Sequence, residues 1–268
     1  TGPLAADPLK DDTSLKYIPT DAAFYFSGLR LREVFDKVAA SNAVAKITAM
    51  PPVQMGLAQA NGMLQQMLQD PANQQLFELI KDAFSNEVFV YGDADFTDAV
   101  LLFREISAAM NQASMEAAAE GNAGGIEELQ LRKLLEVLER QQGPLKIPTF
   151  VEGFKLTDTQ PAEAQLQRLE GLLTGVLGQA GLAANLSRDQ VGGASYLTFR
   201  LAGPMLQGAL MANAPADADP QLVQALGAKI AELNITISLG ILDGSYLVLS
   251  IAEDNKHLAN LGNSDLLI

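Results

Sequence analysis

His257 is the only imidazole in the chain, and there is no Cys and no Trp. Thiolate nucleophiles, Cys-rich metal centres and paired-His metal sites are thereby excluded, and a Ser-His-Asp hydrolase would need His257 as its base. His257 follows Glu253-Asp254-Asn255-Lys256, acids that would raise its pKa only if they touched it. It reads as a solvated histidine on a terminal helix. No Gly-x-Ser-x-Gly turn supplies a nucleophile. Ser195, in Gly193-Ala194-Ser195-Tyr196, leads into a strand, where that turn must lead into a helix.

Carboxylates are the remaining reactive groups. Asp93-Ala94-Asp95-Phe96-Thr97-Asp98 begins like a calcium loop, but it lacks the central Gly, and Arg104 stands where the bidentate Glu belongs. The same acids suit the start of a helix, where capping and the dipole favour them. Asp217-Ala218-Asp219 reads as a polar loop. Glu152 alternates with Val151 and Gly153 inside an apparent strand. A charge there is tolerated when it faces solvent or a partner such as Lys155, so an exposed edge strand is expected. Glu152, Asp93 and Asp95 are the carboxylates on which a hydrolase would draw, although a chain with no Trp and five Tyr has few aromatics to stack on sugars. Gly-rich stretches at 121–125 and 192–193 have neither phosphate-loop nor dinucleotide spacing. The sequence therefore assigns no catalytic, cofactor-binding or metal-ligating residue, and no cofactor is expected.

Eighteen basic residues stand against thirty-two acidic ones, a formal net charge of −14. Such a surface repels phosphate backbones and anionic lipid, and no basic run offsets it. No apolar run reaches the ~18 residues of a membrane span. Leu4-Ala5-Ala6 resembles the small-residue end of a removed signal peptide.

These residues must be positioned by the following elements. Residues 1–14 read as an extended leader and 15–268 as one large α+β domain, with a possible sub-boundary near 143–148. Phe24–Ser27 reads as a strand and 30–47 as a helix. Pro51-Pro52 and Asp70-Pro71 then divide a Met/Gln-rich helical insertion at about 50–85. Val88–Gly92 is a strand, followed by a helix from Asp95 that runs to the glycines at 121–125. The next helix, Ile126–Gln142, carries Ile126, Leu129, Leu131, Leu134, Leu135, Val137 and Leu138, enough to bury two faces. Gly143-Pro144 ends it. Phe150–Leu156 is a strand leading to an amphipathic helix with Leu166, Leu169, Leu173, Val176 and Leu177. Three strand–turn–helix cassettes thus recur at Phe24–Val38, Val88–Ile106 and Phe150–Leu173.

Beyond Gly181 a hairpin with an irregular turn is predicted from Leu182–Leu186 and Tyr196–Leu201, then helices at about 203–213 and 219–232. Ile235, Ile237 and Leu239 alternate with Thr236 and Ser238, the pattern of a half-buried strand, and Asp243-Gly244 is a favoured two-residue hairpin turn. A short helix at Asn255–Leu261 and an apolar end, Asp265-Leu266-Leu267-Ile268, complete the chain. The fold class is α+β: helices on a largely antiparallel or mixed sheet.

Tyr17-Ile18-Pro19-Thr20-Asp21-Ala22-Ala23-Phe24-Tyr25-Phe26-Ser27 resembles the Leu-Pro-Ala-Asp-Thr-x-x-Tyr-Val opening of an uncharacterised family of exported bacterial proteins. Gly240-Ile241-Leu242-Asp243-Gly244-Ser245-Tyr246-Leu247-Val248-Leu249-Ser250 is similar to its Leu-Asp-Gly-Tyr hairpin. The resemblance implies an envelope or secreted location and a large α+β body, often continuing into a second related half, with no catalytic residues to carry over. The insertion at 50–85 departs from it. The expectation is a non-catalytic secreted or periplasmic binding or structural protein, with a protein partner or self-association and no nucleic acid. The alternative is a carboxylate-dependent hydrolase of the cell envelope.

Overall fold

The computed structural model describes residues 13–119, 126–141, 145–215 and 218–261. The leader before residue 13, the glycine run at 121–125, the Gly143-Pro144 stop, Asp217 and the apolar end at 265–268 lie outside them.

Strands β1 (Phe24–Gly28), β2 (Val88–Gly92), β3 (Phe150–Lys155), β4 (Leu186–Val191), β5 (Ala194–Ala202), β6 (Asn234–Leu242) and β7 (Tyr246–Ala252) form one seven-stranded sheet. Its order is β1-β2-β3-β7-β6-β5-β4, and every neighbouring pair is antiparallel. The α+β class read from the sequence is the architecture observed. Strands from both sides of 143–148 share the sheet, because β3 pairs with β7.

Local chemistry explains the two hairpins. Asp243 and Gly244 both have positive φ, as a two-residue turn of this hand requires, and Ser245 N–H closes it on the Leu242 carbonyl at 3.1 Å. Ser245 is one extra residue, so Leu242 pairs with Tyr246. The β4–β5 hairpin differs from expectation. Its turn is regular, with Gly192 and Gly193 both at positive φ and Val191 opposite Ala194. Leu182–Leu186 is no strand; Ala183–Asn185 is a 3-10 turn leading into β4.

The helices are α1 (Leu31–Ala39), α2 (Asn42–Thr48), α3 (Pro51–Met67), α4 (Pro71–Ala83), α5 (Asp95–Ala119), α6 (Ile126–Arg140), α7 (Gln160–Gln179), α8 (Gly203–Asn213) and α9 (Pro220–Ile230). The single helix expected at 30–47 is two, because Ser41 Oγ accepts from Val44 N–H at 3.3 Å and caps a new start. The last helix expected, Asn255–Leu261, is a 3-10 turn over Lys256–Asn260. The two-faced α6 finds both partners within the chain. Leu131, Leu134, Leu135 and Leu138 join Leu102 and Ile106 of α5 and Leu222 and Leu226 of α9 in one cluster.

The largest core lies on one sheet face under chain segments rather than helices. Phe89, Tyr91, Val151, Tyr196, Tyr246 and Val248 are covered by Tyr17 and Ile18 from one segment and by Leu258 and Leu261 from another. Gly153 belongs to this face for a steric reason: a Cβ there would stand 2.1 Å from the Phe89 ring. On the other face, α4 and α7 pack through Leu79, Ala83 and Ala162 on Phe154, Ile241 and Leu247.

Candidate functional site

The alternation in β6 and β7 produces an unexpected distribution of burial. Thr236 is 4% exposed, and Ser238 and Ser250 are 1% exposed. Ile235, Ile237, Leu239 and Ile241, and Leu247, Leu249 and Ile251 across from them, are only half-buried. The wholly aliphatic face of these strands is therefore less covered than the mixed one, where Leu242, Tyr246, Val248 and Ala252 are buried beside the hydroxyls. The hydroxyls on the mixed face tolerate burial because they are paired: Thr198 Oγ1 with Ser238 Oγ at 3.2 Å, Thr236 Oγ1 donating to the Glu253 carbonyl at 3.0 Å, and Ser250 Oγ with His257 Nε2 at 2.6 Å.

Helices α4 and α7 stand over the open apolar face and leave a groove of about 410 Å³ between them, within the range of small-molecule sites. They run antiparallel. Thr157 N–H, just ahead of α7, donates to Asp82 Oδ2 near the end of α4 at 2.7 Å, and Gln165 Nε2 donates to Gln75 Oε1 at 3.3 Å further along. The walls are Leu76 and Ile80 from α4, Phe84 directly after it, and Leu166, Leu169 and Leu172 from α7; Leu239 and Leu247 form the floor. Leu172 is 58% and Ile80 48% exposed. Polar lining is confined to Asn73, Gln165 and Arg168. The sequence signal for this wall was the α7 stripe, legible as amphipathic but not as half-uncovered.

A larger cleft of about 720 Å³ opens beside α1 and α4, lined among others by Arg30, Arg32, Lys81 and Lys155 together with Glu33, Glu78, Asp82 and Glu87. Its opposite charges offset one another, with Lys81 paired to Glu78 at 3.2 Å. One of its residues has a structural role that sequence reasoning missed. Glu87, 2% exposed, accepts from Ser14 N–H at 3.0 and 3.1 Å, Ser14 Oγ at 2.6 Å, Ser27 Oγ at 2.7 Å and Tyr246 Oη at 2.7 Å. The only signal for it was an acid directly ahead of the apolar strand Val88–Tyr91.

The candidate carboxylates do not converge. Glu152 lies in the row Phe26–Val90–Glu152–Leu249–Leu239–Leu197, on the apolar face. Its strand is interior to the sheet, not an edge as expected, so burial raises its pKa. Asp93 caps nothing on α5. Its Oδ2 accepts from Thr149 N–H at 2.9 Å, and its Oδ1 is buried without a described partner. Asp95 does begin α5, exposed and paired with Lys146 at 3.2 Å. Asp219 caps α9 by accepting from Gln221 N–H at 2.8 Å. Ser195 lines a shallow cleft with Gly193, Gly244 and Ile241, and among the described residues no His approaches it.

His257 is not the solvated side chain the sequence suggested. It is half-buried against Ser250, and burial lowers its pKa although Asp254 and Asp93 act to raise it. Serine and histidine are paired as in a hydrolase, yet at 1% exposure Ser250 admits no substrate carbonyl. Among the described residues, no three of His, Asp or Glu stand close enough to hold a metal ion, and no helix is long and apolar enough to cross a membrane.

Fold and groove define the class: an α+β protein whose seven-stranded antiparallel sheet keeps one apolar face partly uncovered beneath two helices. No protein-family model matches the chain, no curated protein is significantly similar to it, and no solved structure matches it. The two segments that carry the resemblance to exported proteins meet in the fold. Tyr17 and Tyr246 rings pack edge to face at 5.3 Å, and Tyr17 Oη donates to Asp243 Oδ2 at 2.9 Å.

Proposed function

We propose that this is a non-catalytic binding protein of the bacterial envelope or exterior, and that its site is the groove between α4 and α7. One observation carries the reading. Seven aliphatic side chains on one face of β6 and β7 (Ile235, Ile237, Leu239, Ile241, Leu247, Leu249 and Ile251) are only half-buried, while Thr236, Ser238 and Ser250 on the other face are buried, a distribution that leaves apolar surface in water unless something covers it. The resemblance at Tyr17–Ser27 and Gly240–Ser250 supports the location. A neutral apolar fluorophore is expected to bind saturably, one per chain, and the variants Ile80→Glu and Leu172→Glu, both at exposed wall positions, are expected to weaken it by tenfold or more. No saturable binding, or binding indifferent to both variants, would overturn the assignment.

A second observation favours self-association as well. Val34, Phe35 and Val38 on α1 and Met55, Met63 and Met67 on α3 are all exposed, away from the groove. Light scattering at several concentrations is expected to show a species larger than one chain; a strict monomer at high concentration would remove this reading.

A further inference from the structure

The lining of the α4–α7 groove is not uniform, and its asymmetry specifies a ligand. Asp82 and Thr157 hold one end of the helix pair, and the lining nearest that end is Ala83, Phe84, Phe154 and Ala162. Gln165 meets Gln75 further along, and Arg168 lies one helical turn beyond, toward Asn73 near the start of α4. The polar lining is thus confined to the half of the trough away from Asp82 and Thr157, where Leu76, Leu169 and Leu172 continue the apolar wall beside it.

Arg168 is the one charged residue in that lining. Positions three and four residues away on α7 are Ala164, Gln165, Gly171 and Leu172, so it has no helical ion-pair partner. It takes part in none of the ion pairs among the described residues. In a chain of net charge −14, an unpaired guanidinium beside Asn73 and Gln165 on the rim of an apolar trough presents donors matched to a carboxylate or similar anion.

We propose that the occupant is a single-chain amphiphile with an anionic head, its chain lying over Leu239 and Leu247 and its head at Arg168. This rests on the binding reading above and narrows it to one ligand class. About 410 Å³ holds roughly a dozen methylenes if each takes about the ~30 Å³ of a liquid water. One chain fits; the two chains of a phospholipid do not.

Calorimetry with saturated carboxylates of increasing length, the matching primary alcohols and the matching trimethylammonium ions tests this below micelle formation and at physiological salt, where long-range repulsion is screened. Affinity is expected to rise about three- to fourfold per methylene and to level off near a dozen carbons. At equal length the order is carboxylate, then alcohol, then ammonium, with carboxylate over alcohol by about fivefold, the worth of an exposed ion pair. Arg168→Glu inverts the carboxylate–ammonium order, and Arg168→Lys keeps it. Alcohols that bind as well as carboxylates, an order unmoved by Arg168→Glu, or affinity that rises without levelling would each overturn the ligand class while leaving the groove a binding site. Failure of every amphiphile and of the neutral fluorophore would overturn both.

Discussion

Replacing Glu87 by Gln tests what ties the Ser14–Ile18 segment to the sheet. The carboxylate receives four donor groups: Ser14 N–H, Ser14 Oγ–H, Ser27 Oγ–H and Tyr246 Oη–H. A carboxamide keeps one acceptor oxygen. Placed at the Oε1 position it still receives the two serine hydroxyls and Ser14 N–H at 3.1 Å, but its NH₂ then takes the Oε2 position and Tyr246 Oη must accept from it, which turns the buried Tyr246 O–H away from its acceptor. The one buried donor left unmatched costs about 1–3 kcal/mol, and the remaining bonds lose the charge that strengthens them, so Glu87→Gln should lose roughly 2–4 kcal/mol. In a protein of this size that lowers Tm by roughly 5–15 °C. Because Tyr17 and Ile18 are 1% and 0% exposed beside this anchor, limited proteolysis should also cut near them earlier than in wild type. The assay is urea unfolding of Glu87→Gln, Tyr246→Phe and the double variant. A phenylalanine at 246 removes one mismatched donor, so the double variant should be less destabilised than the sum of the singles by about 1–2 kcal/mol. A Gln variant within about 0.5 kcal/mol of wild type, or strictly additive singles, would refute the reasoning.

Three further outcomes follow from burial and charge. Burial raises the Glu152 pKa, so its contribution to stability is greatest below the unfolded value and is lost as the group ionises with rising pH; Glu152→Gln should raise stability at neutral pH by less than about 1 kcal/mol, given its partial exposure, checked by urea midpoint. Burial lowers the His257 pKa below its ordinary 6.5, so stability is complete above that value and falls as pH drops through the folded value; His257→Gln should flatten urea midpoints measured between about pH 7 and pH 5. Burial raises Tyr17, Tyr91 and Tyr246, and pushes Tyr196 up to about 12. Stability is therefore intact below the unfolded tyrosine value of about 10 and lost above it. The phenolate absorbance of these four side chains should appear together with the loss of folded structure rather than ahead of it.

Local chemistry settled much of this protein in the sequence itself. Proline and capping side chains mark the starts of α3, α4 and α7 at Pro51, Asp70-Pro71 and Pro161. Asp243-Gly244 places a turn between two β-branched runs, and the three cassettes deliver strands that become neighbours in the sheet. These features depend on residues within a few positions of one another, so they survive without knowledge of the fold. The double stripe of α6 was legible too, and within the chain it packs on α5 and α9.

Tertiary structure alone decided which face of each strand is covered. Period-two alternation in Ile235–Leu239 states that two faces differ, but not which one meets the better cover. Here Tyr17, Ile18, Leu258 and Leu261 close over the face that carries Tyr196, Tyr246 and Val248 beside the buried hydroxyls, and α4 and α7 close incompletely over the wholly aliphatic one. The same long-range pairing places Glu152 inside the sheet between β2 and β7, brings Glu87 to Ser14 and Tyr246, and leaves Arg168 without an acid. Spacing along the chain fixes a side chain's direction; only the packing of distant segments fixes what it faces.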